Sequence, residues 1–190
     1  MFRESNKLKV FFIGWLLITL TLLIVFFPED RPIRLDNVNF HVSEPEELYF
    51  KNVRSYYYDL EKREDANFHL YRIKTRNKDT TKPDITFFIA NNWLNDEAYI
   101  MVEPNSAVDT TKSLEVRYTV AGSDWDTISL NTPNSYNNYL FAGKIYLAMT
   151  EDARFEILNG VETREIFGPE NRPSVKKTLK DYFKLVGKMP

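Results

Sequence analysis

The chain of 190 residues contains no cysteine. Disulfides, thiolate metal sites and cysteine nucleophiles are therefore excluded. Histidine is almost as scarce, with only His41 and His69, each inside a predicted strand. A serine hydrolase would need one of them as its base, and nothing marks a nucleophile beside either. No G-x-S-x-G, glycine-rich phosphate loop, H-E-x-x-H or calcium-loop pattern is present. No catalytic residue and no metal ligand is assigned on these grounds, and no cofactor is implied. A basic excess is missing as well: 25 Lys+Arg stand against 27 Asp+Glu, a net charge of −2. Phosphate-backbone recognition rests on such an excess, so nucleic acid is not an expected partner. No asparagine opens an N-x-Ser or N-x-Thr glycosylation pattern. Together with the missing cysteine, this favours a bacterial inner membrane and a periplasmic domain over a eukaryotic secretory one.

One stretch is conspicuous by its presence. Residues 10–27, VFFIGWLLITLTLLIVFF, form an 18-residue run with no charge and no proline. At 1.5 Å rise per residue it makes a helix of ~27 Å, close to the ~30 Å of a hydrocarbon core. The run ends in Val25-Phe26-Phe27-Pro28-Glu29 without an A-x-A pattern, which favours an uncleaved signal anchor over a removed signal peptide. Arg3, Lys7 and Lys9 precede it, whereas Glu29, Asp30 and Arg31 follow. The positive-inside rule then places residues 1–9 in the cytoplasm as a short tail and the rest of the chain outside it. Within the run, Gly14 and Thr21 are seven apart and align. With Leu17 they form the expected side for a partner helix, since small and polar residues permit close approach in lipid.

Residues 28–34 read as a short extended stalk with two prolines, and 35–190 as one domain of ordinary size. Leu35 to Val42 has a partial period of two and reads as a strand. Ser43 and Glu46 resemble a capping box, and Phe50, Val53, Tyr57 and Leu60 follow at helical spacing. A helix over 45–62 is expected, with a strand through Ser55–Tyr58 as its rival. Strands are expected at Phe68–Thr75, Ile85–Ala90, Ala98–Glu103, Leu114–Val120 and Trp125–Leu130. Ile85–Ala90, apolar on both faces, should be central. Thr132-Pro133 suggests a helix start, Gly143 its end, and Lys144–Met149 a further strand. Asn159-Gly160 predicts a hairpin between Arg154–Leu158 and Val161–Ile166, with Ile157 opposite Glu162 across a two-residue turn. Ser174–Val186 places Val175, Leu179, Tyr182 and Val186 on one side of a terminal helix stopped by Gly187. The fold class expected is α+β: a single N-terminal transmembrane helix, then one globular domain with a mainly antiparallel sheet of six or more strands and two or three helices.

Four places offer contact chemistry, each with a plain alternative. The 91–97 loop gathers Asn95 and Asp96 oxygens around Trp93, as a polar ligand or Ca²⁺ would require, although Asn and Asp also simply favour turns. Asp124-Trp125 and the pair Tyr136 and Tyr139, among asparagines, resemble sugar-stacking surfaces, although large aromatics more often pack. The terminal helix sets Lys176, Lys177, Lys180 and Lys184 against its apolar stripe, suiting an anionic membrane surface or an acidic partner. Its plain alternative is a solvated face. The functional expectation is a non-enzymatic, membrane-anchored scaffold or accessory subunit of an envelope complex, with a membrane or envelope protein as partner. A glycan or polar-ligand module and a carboxylate-dependent envelope hydrolase are the alternatives.

Overall fold

The computed structural model describes residues 9, 11–21, 33–159 and 162–189. The chain divides into two units, Met1–Arg31 and Pro32–Pro190. In the first, residues 11–21 are helical (α1). Among the described residues no helix is long and apolar enough to cross a membrane. The remainder of the 10–27 run, its flanking charges other than Lys9, and stalk residues 28–32 lie outside the described residues. The second unit is α+β with antiparallel sheets. Its core begins inside the stretch that the sequence reads as stalk, because Ile33 is already buried.

Helix α2 covers Glu44–Tyr49 and widens into a π turn at Phe50–Arg54 and a 3-10 turn at Ser55–Tyr57. The chain then extends into β1, Tyr58–Arg63, and returns as β2, Phe68–Ile73. Strands β3, Ile85–Asn92, and β4, Glu97–Pro104, complete a sheet of order β1-β2-β3-β4. A second sheet, of order β6-β5-β7-β8, uses β5 (Leu114–Thr119), β6 (Asp126–Leu130), β7 (Arg154–Asn159) and β8 (Glu162–Ile166). Helix α3, Ser135–Thr150, carries the chain from β6 to β7, and α4, Arg172–Leu185, follows β8. Helix α4 packs on β3 and β4, α3 packs on β4 and β6, and the two helices touch. Phe87 of β3 meets Phe141 of α3 and Phe167, which in turn meets Phe155 of β7. Both sheets thus share one core, and every member of it lies within the second unit. That unit has what it needs to fold by itself.

Several expectations are corrected. Two four-stranded sheets replace the single larger one. Leu35–Val42 forms only an isolated bridge, His41 to Glu97, although its backbone still bonds the β4 edge through Val42 and Phe40. The helix expected over 45–62 stops early. Phe50 turns inward onto Tyr58 and Tyr71; Tyr56 and Tyr57 stay in the 3-10 turn and Tyr58 opens β1. The capping box does not form, since Ser43 makes no side-chain cap bond. Asn134, not Thr132, caps α3, its side chain accepting from the Asn137 amide at 2.8 Å. Helix α3 runs straight through Gly143 and absorbs the strand expected at 144–149. A Cβ at Gly143 would meet the end of the Leu35 side chain, which rests against the helix there. In the β7–β8 hairpin Asn159 pairs with Glu162 and Ile157 with Arg164, two residues along from the expected Glu162; Gly160 and Val161 lie outside the described residues. Strand β3 is central, with Phe87 and Ile89 fully buried. Helix α4 buries Val175, Leu179, Tyr182 and Val186, and Gly187 ends it at φ +66 with the Lys188 amide bonded to the Phe183 carbonyl.

Candidate functional site

The π turn has a structural consequence. By adding one residue to the helical repeat it aims Phe50 into the core and Arg54 at α4. The Arg54 guanidinium donates from Nε to Asp181 Oδ1 at 2.7 Å, and the Tyr58 hydroxyl donates to Asp181 Oδ2 at 2.8 Å. The Asp181 side chain is only 4% exposed, so its charge is compensated by neighbours rather than by water. Burial opposes the charge on Arg54, but the hydrogen bond and the charge of Asp181 outweigh it and raise its pKa. Burial first, then the adjacent Asp181 carboxylate, pushes the Tyr58 phenol well above the ordinary tyrosine range. This cluster fastens the segment from α2 to β1 onto α4.

What it fastens is an apolar surface. Leu48 is 59% exposed, Tyr49 38%, Val53 48%, Tyr56 78% and Tyr57 42%. Cations frame the tyrosines: Lys184 Nζ lies 4.4 Å from the Tyr49 ring centre, Lys177 Nζ 3.0 Å from Tyr57 and Lys74 Nζ 4.8 Å from Tyr56. The Tyr56 and Tyr57 rings meet edge to face at 5.8 Å. Burial and the charge of Arg54 lower the Lys177 pKa, against the pull of Asp181. Lys176, Lys177, Lys180 and Lys184 are all half-buried, so the lysine face of α4 is not simply solvated. Sequence reasoning missed Tyr49, Tyr56, Tyr57, Arg54 and Asp181. The available signal was that Lys177 and Lys184, two helical turns apart, align on one side of α4 and need something to stand over.

The other candidates involve different residues. Trp93 is exposed in the β3–β4 turn with His69 as its ring neighbour at 6.5 Å. Asn95 donates its amide to Asn92 Oδ1, and Asp96 takes a left-handed φ of +52 in that turn. Asp124 is exposed ahead of β6, and the Arg117 guanidinium lies over the exposed Trp125 ring at 4.6 Å. Tyr136 is exposed on the first turn of α3, whereas Tyr139 is fully buried against Phe183 and Tyr182. Burial first, then the charge of Asp36, raises the Tyr139 pKa to about 12. In α1, Thr21 donates to the Leu17 carbonyl at 2.8 Å, and Gly14 faces open space. Among the described residues no three His, Asp or Glu side chains group as a metal site would need.

A cleft of about 210 Å³ opens between the β2–β3 loop and the start of α4. Asp84, Glu165, Glu170 and Lys82 line it. Asp84 is committed structurally: Asn77 and Asn171 donate to its Oδ2 at 3.0 and 2.9 Å, and the Ile85 amide donates to its Oδ1. No protein-family model, no curated protein and no solved structure matches this chain.

Proposed function

We propose that this chain is a non-enzymatic, membrane-anchored scaffold or accessory subunit of an envelope complex, its 33–190 domain lying outside the cytoplasm of a bacterial inner membrane. The observation that carries the reading is the clamped surface of Leu48, Tyr49, Val53, Tyr56 and Tyr57, exposed apolar side chains gathered on one segment and held in place by Arg54, Tyr58 and Asp181. Contiguous exposed apolar surface marks a contact site more often than an idle one. The uncharged 10–27 run supplies the anchor, with a Gly14–Leu17–Thr21 side available to a partner helix.

Two measurements test it. A cysteine placed at exposed Lys112 should react with a membrane-impermeant thiol reagent in intact spheroplasts; labelling only after lysis puts the domain on the other side. Crosslinking the full chain in native membranes, followed by mass spectrometry, should recover a reproducible set of envelope proteins. Recovery no greater than from an unrelated single-span control overturns the accessory-subunit role.

A further inference from the structure

The clamped face has a chemistry more specific than apolarity. Its tyrosines each carry a lysine ammonium at the ring, and among the described residues none of Lys74, Lys177 and Lys184 has a carboxylate within ion-pair distance. The nearby acids are mostly engaged: Glu47 with Lys51, Asp59 with Arg76, Asp181 with Arg54. Glu44 and Glu46, in the first turn of α2, are the exceptions, Glu44 exposed and Glu46 half-buried with one unpartnered oxygen, so three lysines face two such acids. The outcome is a surface of amphipathic rings and long cationic stems, bearing a positive excess on a chain whose overall charge is −2. Tyrosine and lysine are the residues that sit at a bilayer's headgroup layer, the ring body in the apolar boundary and the polar tip in water.

The way the chain joins the domain adds a second reason. After Ile33 the polypeptide passes the C-terminal end of α4, where Asn39 Nδ2 donates to the Val186 carbonyl at 3.2 Å and Lys188 Nζ donates to the Asn37 carbonyl. Lys184 and Tyr49 stand at that same end of α4. Chain length alone holds Ile33 within ~20 Å of the last residue of the 10–27 run, because only residues 28–32 intervene. Helix α4, with 14 residues, is itself ~21 Å long. Five residues are thus the whole tether between the proposed anchor and the domain.

We infer that this tyrosine–lysine face docks on the anionic headgroup surface of the membrane, laying α4 along the bilayer. An inner-membrane outer leaflet rich in phosphatidylglycerol has the chemistry to receive it: anionic phosphates for the lysines and an apolar boundary for Leu48, Val53 and Tyr56. The inference rests on the proposed anchoring only for the presence of a membrane beside the domain.

The test is sedimentation of the 33–190 fragment with vesicles of phosphatidylcholine alone or of phosphatidylcholine with phosphatidylglycerol. The expected result is binding to the anionic vesicles that exceeds binding to the neutral ones and weakens with salt. Because the chain is net acidic, bulk charge cannot produce that preference. Joint Lys177→Gln and Lys184→Gln should weaken it about thirtyfold, Lys177→Arg and Lys184→Arg should keep it, and circular dichroism should be unchanged in each. Equal binding to both vesicles, binding to neither, or full binding by the folded glutamine variant overturns the inference. A photo-crosslinker at Val53 of the full chain that captures protein rather than lipid in native membranes overturns it as well, while leaving the accessory-subunit reading in place. Absence of envelope partners in the native-membrane crosslinking would defeat that reading and leave the vesicle result untouched.

Discussion

Helix α4 and the segment from Glu44 to Tyr57 share an apolar spacing of three and four residues, yet they end in opposite situations. Helix α4 lays Val175, Leu179 and Tyr182 against β3 and β4 and fills the core with Phe183. The earlier segment buries Phe50 alone and exposes Leu48, Val53, Tyr56 and Tyr57. Periodicity states that a face exists; a waiting surface decides whether it is covered. The inner face of the first sheet had room for α4 and α3, and the earlier segment reached it only through the π turn. One buried ring, Phe50, and a charge cluster hold that segment, whereas a whole apolar face holds α4, so the two regions differ in their sources of stability.

Substitutions should separate those sources. The largest effect is expected from Phe183→Ala, which removes a fully buried ring touching Tyr139, Tyr146 and Tyr182. A loss of about 3–5 kcal/mol in urea unfolding of the 33–190 fragment would match a core site; a loss below about 1 kcal/mol would show that α4 is not packed as described.

Asp181→Asn comes next. It strips the partner charge from Arg54 and an acceptor from Tyr58, and removing one member of a buried pair costs about 3–5 kcal/mol. Arg54 retains 22% exposure, so about 2 kcal/mol is the expected cost. Protease cleavage within 50–58 should rise in this variant and not in Phe183→Ala at matched stability. Equal cleavage would mean that the clamp has no local role.

Alkaline pH should produce an intermediate effect that the core and the clamp share. Tyr58, Tyr182 and Tyr139 all have pKa values raised above 10.0, chiefly by burial. The folded state keeps these protons where the unfolded state has lost them, so the unfolded state binds fewer protons above pH 10. Stability is then fully present below about pH 10 and falls as pH rises beyond it. Tyrosinate absorbance should show these three ionising together with unfolding, after the exposed tyrosines. Their titration in the still-folded protein would contradict the burial.

The smallest effect is the sharpest contrast. Val53→Ala and Tyr56→Ala, at 48% and 78% exposure, should each shift stability by less than about 0.5 kcal/mol in the same unfolding assay. A larger loss would mean that this surface is part of the core and not free for contact.

Much of the secondary structure was legible because it rests on local chemistry. Alternation marked β5, continuous apolarity marked β3 as central, and a stripe closed by Gly187 marked α4. The candidate site was legible only in half. The lysines of α4 showed in the sequence, but the tyrosines beneath Lys177 and Lys184 are more than a hundred residues earlier, and no spacing rule links them. By itself the sequence also determined the α+β class and the absence of disulfides, since pattern and composition are properties of neighbours along the chain. Tertiary structure alone decided that Gly143 admits Leu35 within a continuous helix, that Tyr139 is core, and that Arg54 meets Asp181. Each depends on which surfaces come to face one another, and that depends on how the two sheets and α3 divide a single core.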